Sequence, residues 1–424
     1  MNQCMIRLYL HRTGRYALVF LVLIALYMVF AFAASILPDK KVNAGISQTL
    51  RKGDLQQDYP CLFVQVKQCQ TDNFTDALIL SQAWNFQYHG VWYDMMMPTY
   101  TKCGVSMCDN LHLIVEGQSC GDDRPYPRYW HGSTFLMRYL LLITDYFLWR
   151  ILFFVIGSLL VIWAFLRLRK AAGLVPAVLF LLSYLMLYGY IMQCSIQFFP
   201  VLVLSLAGVI SACDTNRKSG NFAFVLFVLG SLTAFFDLLT TPLLTFGLPV
   251  CAWLVVRREM IGRQSWGKGV KQFASKGFAW ISAYALTWSV KWFIATVGTD
   301  VNVFQDALEQ TGHRFNDMEQ YGRWDAVIFN FDMLPLTWII VTAVAVLLLA
   351  VWRFNRKGLK PMLFFVLIGL LPYIWYLMVA NHSYLHWWFT YRLQMVSVLA
   401  LFYALFSLVD CSSEWYAWRR FAKS

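Results

Sequence analysis

Three short runs of polar and aromatic residues hold the candidate chemistry of this 424-residue chain. The first is Asp72-Asn73-Phe74-Thr75-Asp76. Asp72 or Asn73 is placed to cap a helix running to about Tyr88, with Asp76 in its first turn. Residues at this spacing share a helix face. Two carboxylates there could hold a divalent cation, or one could act as a general base oriented by the other. The plainer alternative is acidic charge favouring a helix N-terminus. The second run is Tyr126-Pro127-Arg128-Tyr129-Trp130-His131-Gly132, where Arg128 and His131 could meet a lipid phosphate or a hydroxyl. The third, Asn381-His382-Ser383-Tyr384-Leu385-His386-Trp387-Trp388-Phe389-Thr390-Tyr391-Arg392, puts His382 and His386 on one face. Arg392 begins an apolar segment at phosphate-headgroup depth. For both later runs, aromatic anchoring at a membrane surface is the alternative. Asp237 and Lys291 stand alone in apolar surroundings. Ionisable groups there are functional hypotheses by default, although Lys291 could instead snorkel to headgroups.

These runs sit in a chain that is 59% hydrophobic, 17% aromatic and 14% charged. A soluble chain of this size would carry about a quarter charged residues. The pattern predicts an all-α integral membrane protein with about ten transmembrane helices. They fall at 16–37, 149–168, 171–192, 196–213, 222–239, 241–257, 277–298, 334–352, 361–380 and 391–410. Alternate connections hold 21 of the 35 basic residues in six short segments. These contain Arg7, Arg12 and Arg15; Arg167, Arg169 and Lys170; Arg217 and Lys218; Arg257 to Lys276; Arg353 to Lys360; and Arg419, Arg420 and Lys423. Basic loops stay cytoplasmic, so both termini are expected inside a plasma (inner) membrane. The net charge of +12 then needs no nucleic acid, and anionic membrane lipid is the expected partner.

One integrated domain, 1–424, is expected. It comprises a first transmembrane helix at 16–37, a large extracytoplasmic loop at 38–148, a nine-helix bundle at 149–410 and a cytoplasmic tail at 411–424. Residues 133–148 are apolar but carry Arg138 and Asp145, and they read as an amphipathic helix in the outer interface. Cys61, Cys69, Cys103, Cys108, Cys120 and Cys194 fall on the exterior side, where disulfides form; Cys61–Cys69 and Cys103–Cys108 are plausible pairs. Cys4, Cys213 and Cys411 fall at cytoplasmic ends. No cysteines have the paired C-x-x-C spacing of a zinc site.

The middles of the spans are almost uncharged. An ion-coupled transporter concentrates ionisable groups near the midplane; here they gather at the outer boundary. With one span, a large exterior loop and then a bundle, the chain resembles the GT-C class of membrane glycosyltransferases. That class includes protein O-mannosyltransferases and aminoarabinose and lipid A sugar transferases. The pieces DNFTDA, YPRYWHG, FDLLTTP and NHSYLHWWFTYR look similar to those of uncharacterised bacterial membrane proteins associated with it. Better-known members place an acidic residue almost directly after the first span. The nearest here is Asp39, which lacks a paired acid and is followed by two lysines.

The resemblance implies a sugar donor on a polyprenyl phosphate, an envelope acceptor and inversion at the sugar's C1. Asp76 would deprotonate the acceptor, with Asp72 orienting it or helping to hold a divalent cation. Arg392, Lys291 and Arg128 would neutralise the departing phosphate. His131, His382, His386 and Asn381 would orient acceptor or phosphate, with Asp237 nearby. Asp76, Lys291 and Arg392 are expected to line one cavity. The rival readings are a transporter or flippase of a lipid-linked saccharide and a non-catalytic scaffold of envelope assembly.

Overall fold

The computed structural model describes residues 3–63, 65–86, 90–118, 121–216, 219–315 and 321–411, with side chains from residue 13 onward except at 219 and 313. Tyr88, Cys120, Arg217, Lys218, Arg419, Arg420 and Lys423, and the side chains of Cys4, Arg7 and Arg12, lie outside that description. The fold is almost entirely helical; the described strands are one antiparallel pair, Thr99–Lys102 with Asp122–Pro125.

Four helices are long and apolar enough to cross a bilayer: Thr13–Ser35, Tyr146–Ala172, Arg356–Met378 and Trp387–Ser407. A fifth span arises if Arg323–Asp332 and Leu336–Trp352, bent by 77°, count as one. The first two turn most of their apolar surface outward, whereas Trp387–Ser407 is 83% buried and runs through the centre. Every other expected span is also helical, but several are short. Leu174–Met186, Phe199–Ala212 and Leu244–Val256 have 13, 14 and 13 residues. At 1.5 Å per residue these reach about 20 Å, less than the roughly 30 Å hydrocarbon core. By length and composition the described helices therefore give four crossings, or five with the bent pair. The 171–192 segment breaks because Tyr188 adopts a left-handed conformation (φ 52°) before a 3₁₀ turn over Gly189–Cys194. The 277–298 segment is the later part of a 33-residue helix, Trp266–Gly298, that begins among basic residues.

That long helix packs along Ser219–Phe236, and Gly230 sets their spacing: a Cβ there would lie 2.3 Å from the Trp280 carbonyl oxygen. Gly230→Ala must push two backbones apart. It is expected to cost about 1–3 kcal/mol, the usual penalty of overpacking, read as a lower unfolding midpoint of the detergent-solubilised chain.

The segment after the first span folds around Asn73–Trp84, which is not amphipathic. Nine of its twelve residues are buried between the neighbouring helices Asp39–Arg51, Met107–Val115 and Gly132–Leu141. The expected interfacial helix also divides. Gly132–Leu141 ends, and Asp145 caps a new helix by accepting from Leu148 N (3.1 Å) while pairing with Lys52 at 2.6 Å. Arg138 is fully buried instead of lining a polar face. It donates to the carbonyls of Ala34, Ala83 and Leu37 and pairs with Asp39 at 2.6 Å, clamping the end of the first span. Neither expected cysteine pair forms: Cys61, Cys69 and Cys108 are free thiols, and Cys103 is disulfide-bonded elsewhere.

Candidate functional site

The acidic run folds as a capped helix whose two carboxylates are both consumed by the protein. Asp72 accepts from Thr75 N (3.0 Å), Thr75 Oγ1 (2.7 Å) and the Gln197 side-chain amide. Asp76 Oδ1 accepts from Ser195 Oγ (2.8 Å) and Ile196 N (2.9 Å). Asp76 Oδ2 takes Tyr146 OH (2.5 Å) and Arg150 (3.4 Å). Arg150 is itself shared, pairing with Asp54 at 2.6 Å and donating to Asn73 Oδ1 at 2.8 Å. Burial pushes Asp72 up to about 7, with the Thr75 hydrogen bonds acting against it. Burial likewise raises Asp76 to about 6 against the pull of Arg150, Tyr146 and Ser195.

This is a hub joining the 72–84 helix to the start of the Tyr146–Ala172 helix and to the 194–197 turn. Neither oxygen of Asp76 is left for an acceptor hydroxyl, and Asp39 is likewise taken by Arg138. Among the described residues no group of three or more His, Cys, Asp or Glu is placed to hold a metal ion.

Arg392 lies beside the hub, close enough for its charge to act on Asp72. It is fully buried between the rings of Phe198 and Tyr391. Its Nη2 donates to the carbonyls of Gln68 (3.2 Å) and Gln70 (2.9 Å), while Nε and Nη1 have no partner among the described residues. Unbonded guanidinium N–H groups in a dry setting favour an anion.

A second polar centre forms where the other two runs meet Asp237. The Ser219–Phe236 helix stops there, and Asp237 Oδ1 accepts from Thr240 N (3.1 Å), Thr241 N (3.4 Å) and the Thr240 hydroxyl. The turn so closed forces Leu239 into the left-handed region (φ 69°). Non-glycine residues seldom adopt it, and such strain gathers at functional sites. Asp237 Oδ2 is buried and accepts no hydrogen bond among the described residues. The strained turn aims the Leu239 carbonyl at His382 Nε2 (3.0 Å), and the His382 and His386 rings lie 4.8 Å apart.

Arg314 is the cation of this centre. It donates to Tyr129 OH at 2.7 Å and makes no carboxylate pair among the described residues. Its field reaches His382, His386 and Tyr284, and Tyr284 in turn faces Asp237. Trp288 packs on Tyr129 (5.1 Å between rings) and approaches Tyr284 without a well-formed hydrogen bond.

His131 closes the centre from the Tyr126–Gly132 run, 5.9 Å from the Tyr129 ring. Its backbone is left-handed (φ 57°) and its Nε2 lies 2.5 Å from the Tyr126 carbonyl. A carbonyl only accepts, so Nε2 carries the proton and the unbonded, buried Nδ1 is a lone-pair acceptor. Burial drives His131 down to about 3, with Lys291 and Arg128 adding to it against the Tyr126 carbonyl. Burial and Arg314 drive His386 to about 4.

Both rings therefore stay neutral across the physiological range. In [13C]histidine NMR of the solubilised chain, neither His131 nor His386 should titrate between pH 8 and pH 5. A depressed folded pKa gives stability that is present above the unfolded value near 6.5 and lost as pH falls. For His131 that loss reaches about 2 kcal/mol by pH 5. A His131 midpoint near 6.5 would contradict the geometry.

The expected site residues thus divide. Asp237, His131, His382 and His386 converge with Arg314; Asn381 is half-buried next to His382. Lys291 lies behind His131, donating to the Met96 carbonyl (2.7 Å) 5.8 Å from the Trp130 ring. Arg128 is spent on Asp306 (3.2 Å) and stacks on Tyr126, so its charge is not free for a phosphate. Asp72, Asp76 and Arg392 form the separate hub. Reading the sequence missed Arg314, Tyr284 and Arg150. Arg150 carried a signal, being an ionisable residue inside an apolar span. Arg314 carried none, because it sits in an ordinary polar helix, Val303–Phe315.

Compared with known proteins, the chain matches no family model, no curated protein and no solved structure.

Proposed function

We propose that the chain is a GT-C-like membrane glycosyltransferase, moving a sugar from a polyprenyl-phosphate donor to a hydroxyl of an envelope acceptor. The reading takes the apolar segments as ten crossings, including short ones sheltered inside the bundle. It places both termini in the cytoplasm and residues 38–148 outside. The observation that carries it is the pairing of a base with an anion site in one buried centre. Among the described residues, Asp237 offers a carboxylate oxygen that accepts no hydrogen bond, and Arg314 offers a positive charge paired with no carboxylate.

In this proposal the acceptor hydroxyl gives its proton to Asp237 Oδ2 as its oxygen attacks the sugar's C1. The bond from C1 to the phosphate oxygen breaks with its electron pair on that oxygen. The polyprenyl phosphate leaves toward Arg314, where preorganised positive charge stabilises it. Neutral His131 and His382, whose Nε2–H groups are held by backbone carbonyls, each accept a hydrogen bond at Nδ1 that orients the acceptor. The base role moves from Asp76 to Asp237 because, of these two, Asp237 has the oxygen without a partner. No metal ion is needed for these steps.

The test is transfer of label from a polyprenyl-phosphate sugar to hydroxyl acceptors by the full chain in nanodiscs. Transfer lost in Asp237→Asn supports the reading. Label that crosses the bilayer of proteoliposomes still attached to its lipid, with Asp237→Asn indifferent, replaces it with the transporter. Neither event, with wild-type behaviour of a protein complex, leaves the scaffold.

A further inference from the structure

Four cations surround a cavity at the far end of the bundle from Asp237. The helix Leu359–Met378 starts at this cavity and finishes just before His382, while Met395–Ser407 starts just after Arg392 and finishes at it. The cavity measures about 390 Å³ and is lined by Arg258, Arg263, Arg356 and Lys357 together with Glu259 and Asp410. Its walls are held by backbone rather than by long side chains. A Cβ on Gly358 would lie 1.8 Å from the Ser407 carbonyl oxygen, and one on Gly262 2.6 Å from that of Lys357. Asn355 N donates to the Leu408 carbonyl (2.7 Å), and the Asn355 side chain accepts from Lys357 N (3.1 Å). The turn presenting Arg356 and Lys357 is therefore fixed in place.

The positive charge here is only partly answered. Glu259 and Arg263 form a loose, exposed pair at 3.9 Å. Arg258 stacks on Phe406 and donates to its carbonyl (3.0 Å). Arg356 and Lys357 are exposed and make no ion pair among the described residues. Around them, large apolar side chains face outward: Trp352 is 79% exposed, Phe354 57%, Trp266 52% and Met260 47%. Exposed tryptophan and phenylalanine beside cations, at the ends of long apolar helices, are the pattern of a membrane–water boundary. A site for a free soluble anion has no use for such a rim; a lipid headgroup has its acyl chains to place against it.

We propose that this cavity binds the phosphate-bearing headgroup of an anionic phospholipid, with Arg258, Arg356 and Lys357 as its cationic contacts. The proposal does not depend on the glycosyltransferase reading. It is tested on the full chain in neutral detergent, following the unfolding midpoint against added short-chain phosphatidylglycerol, short-chain phosphatidylcholine or inorganic phosphate. Saturable stabilisation by phosphatidylglycerol alone is expected. It should require at least tenfold more lipid in the Arg356→Gln/Lys357→Gln double variant, whose changes are on exposed side chains; Lys357→Gln alone serves if the double variant does not fold. Equal stabilisation by phosphatidylcholine, or an unchanged midpoint response in the variant, overturns the site. Stabilisation by inorganic phosphate equal to that by phosphatidylglycerol overturns the lipid assignment.

Discussion

Asp237→Asn is expected to lower sugar transfer by roughly 10²–10⁴-fold, the usual range for a lost general base, while changing the unfolding midpoint little. The two halves of this result have separate structural causes. The fold uses Oδ1, which closes the turn over Thr240 and Thr241. An asparagine carbonyl accepts those same hydrogen bonds, so the strained Leu239 turn and the carbonyl it aims at His382 survive. The proposed chemistry uses Oδ2, which the substitution turns into an amide donor with no proton affinity. Substrate binding should change far less than turnover, because Arg314, His131 and His382 stay in place. Asp237→Ala is the harsher control: it loses the turn as well, and its defect should include stability. Full transfer by a well-folded Asp237→Asn protein would remove Asp237 from the mechanism.

Asp72, Asp76 and Asp237 differ in how much of their surroundings is legible in the sequence. Capping of the 73–84 helix by Asp72 was legible, because it depends only on local chain geometry. That the same helix is buried on nearly every side was not, since the helices that cover it come from distant segments. Burial changes what Asp76 is. On an open face it would be a candidate base or metal ligand; enclosed by Tyr146, Arg150, Ser195 and Ile196 it is a structural acceptor. Asp237 shows the converse. In sequence it is a lone acid at the end of an apolar run, and only the folded turn reveals one oxygen occupied and the other unbonded. His131 of the Tyr126–Gly132 run and His382 and His386 of the Asn381–Arg392 run do come together in the structure around Asp237 and Arg314, because strong aromatic and histidine density is costly to place without partners. Their common partner, Arg314, sits in a segment whose pattern is that of any surface helix. The expected crossings were too regular for a similar reason: hydropathy counts apolar residues, but Tyr188 takes a left-handed conformation and Gly189 after it lies against the Tyr184 ring, where a side chain would clash.

Asp76→Ala is expected to cost about 3–5 kcal/mol of stability, the range for removing one partner of a buried ion pair. Four donors lose their acceptor at once: Tyr146 OH, Arg150, Ser195 Oγ and Ile196 N. Arg150 keeps Asp54 and the Tyr146 hydroxyl keeps a long contact to the Cys194 carbonyl (3.4 Å), but the backbone N–H of Ile196 loses its acceptor outright. The loss should appear as a lower unfolding midpoint in detergent, with transfer activity per folded molecule largely retained. Asp76→Asn should fall between: its carbonyl still accepts from Ser195 and Ile196, while its amide meets Arg150 donor to donor. The pH dependence has a definite sign. Burial raises Asp76 from the ordinary carboxylate range to about 6. Its contribution is therefore fully present below the unfolded value near 4 and lost as pH rises through 6. The difference in midpoint between wild type and Asp76→Asn should shift across that window and be flat above pH 7. A catalytic Asp76 would behave in the opposite way. Asp76→Asn would then unfold like wild type at every pH and lose turnover by orders of magnitude, and the hub assigned to it here would be wrong.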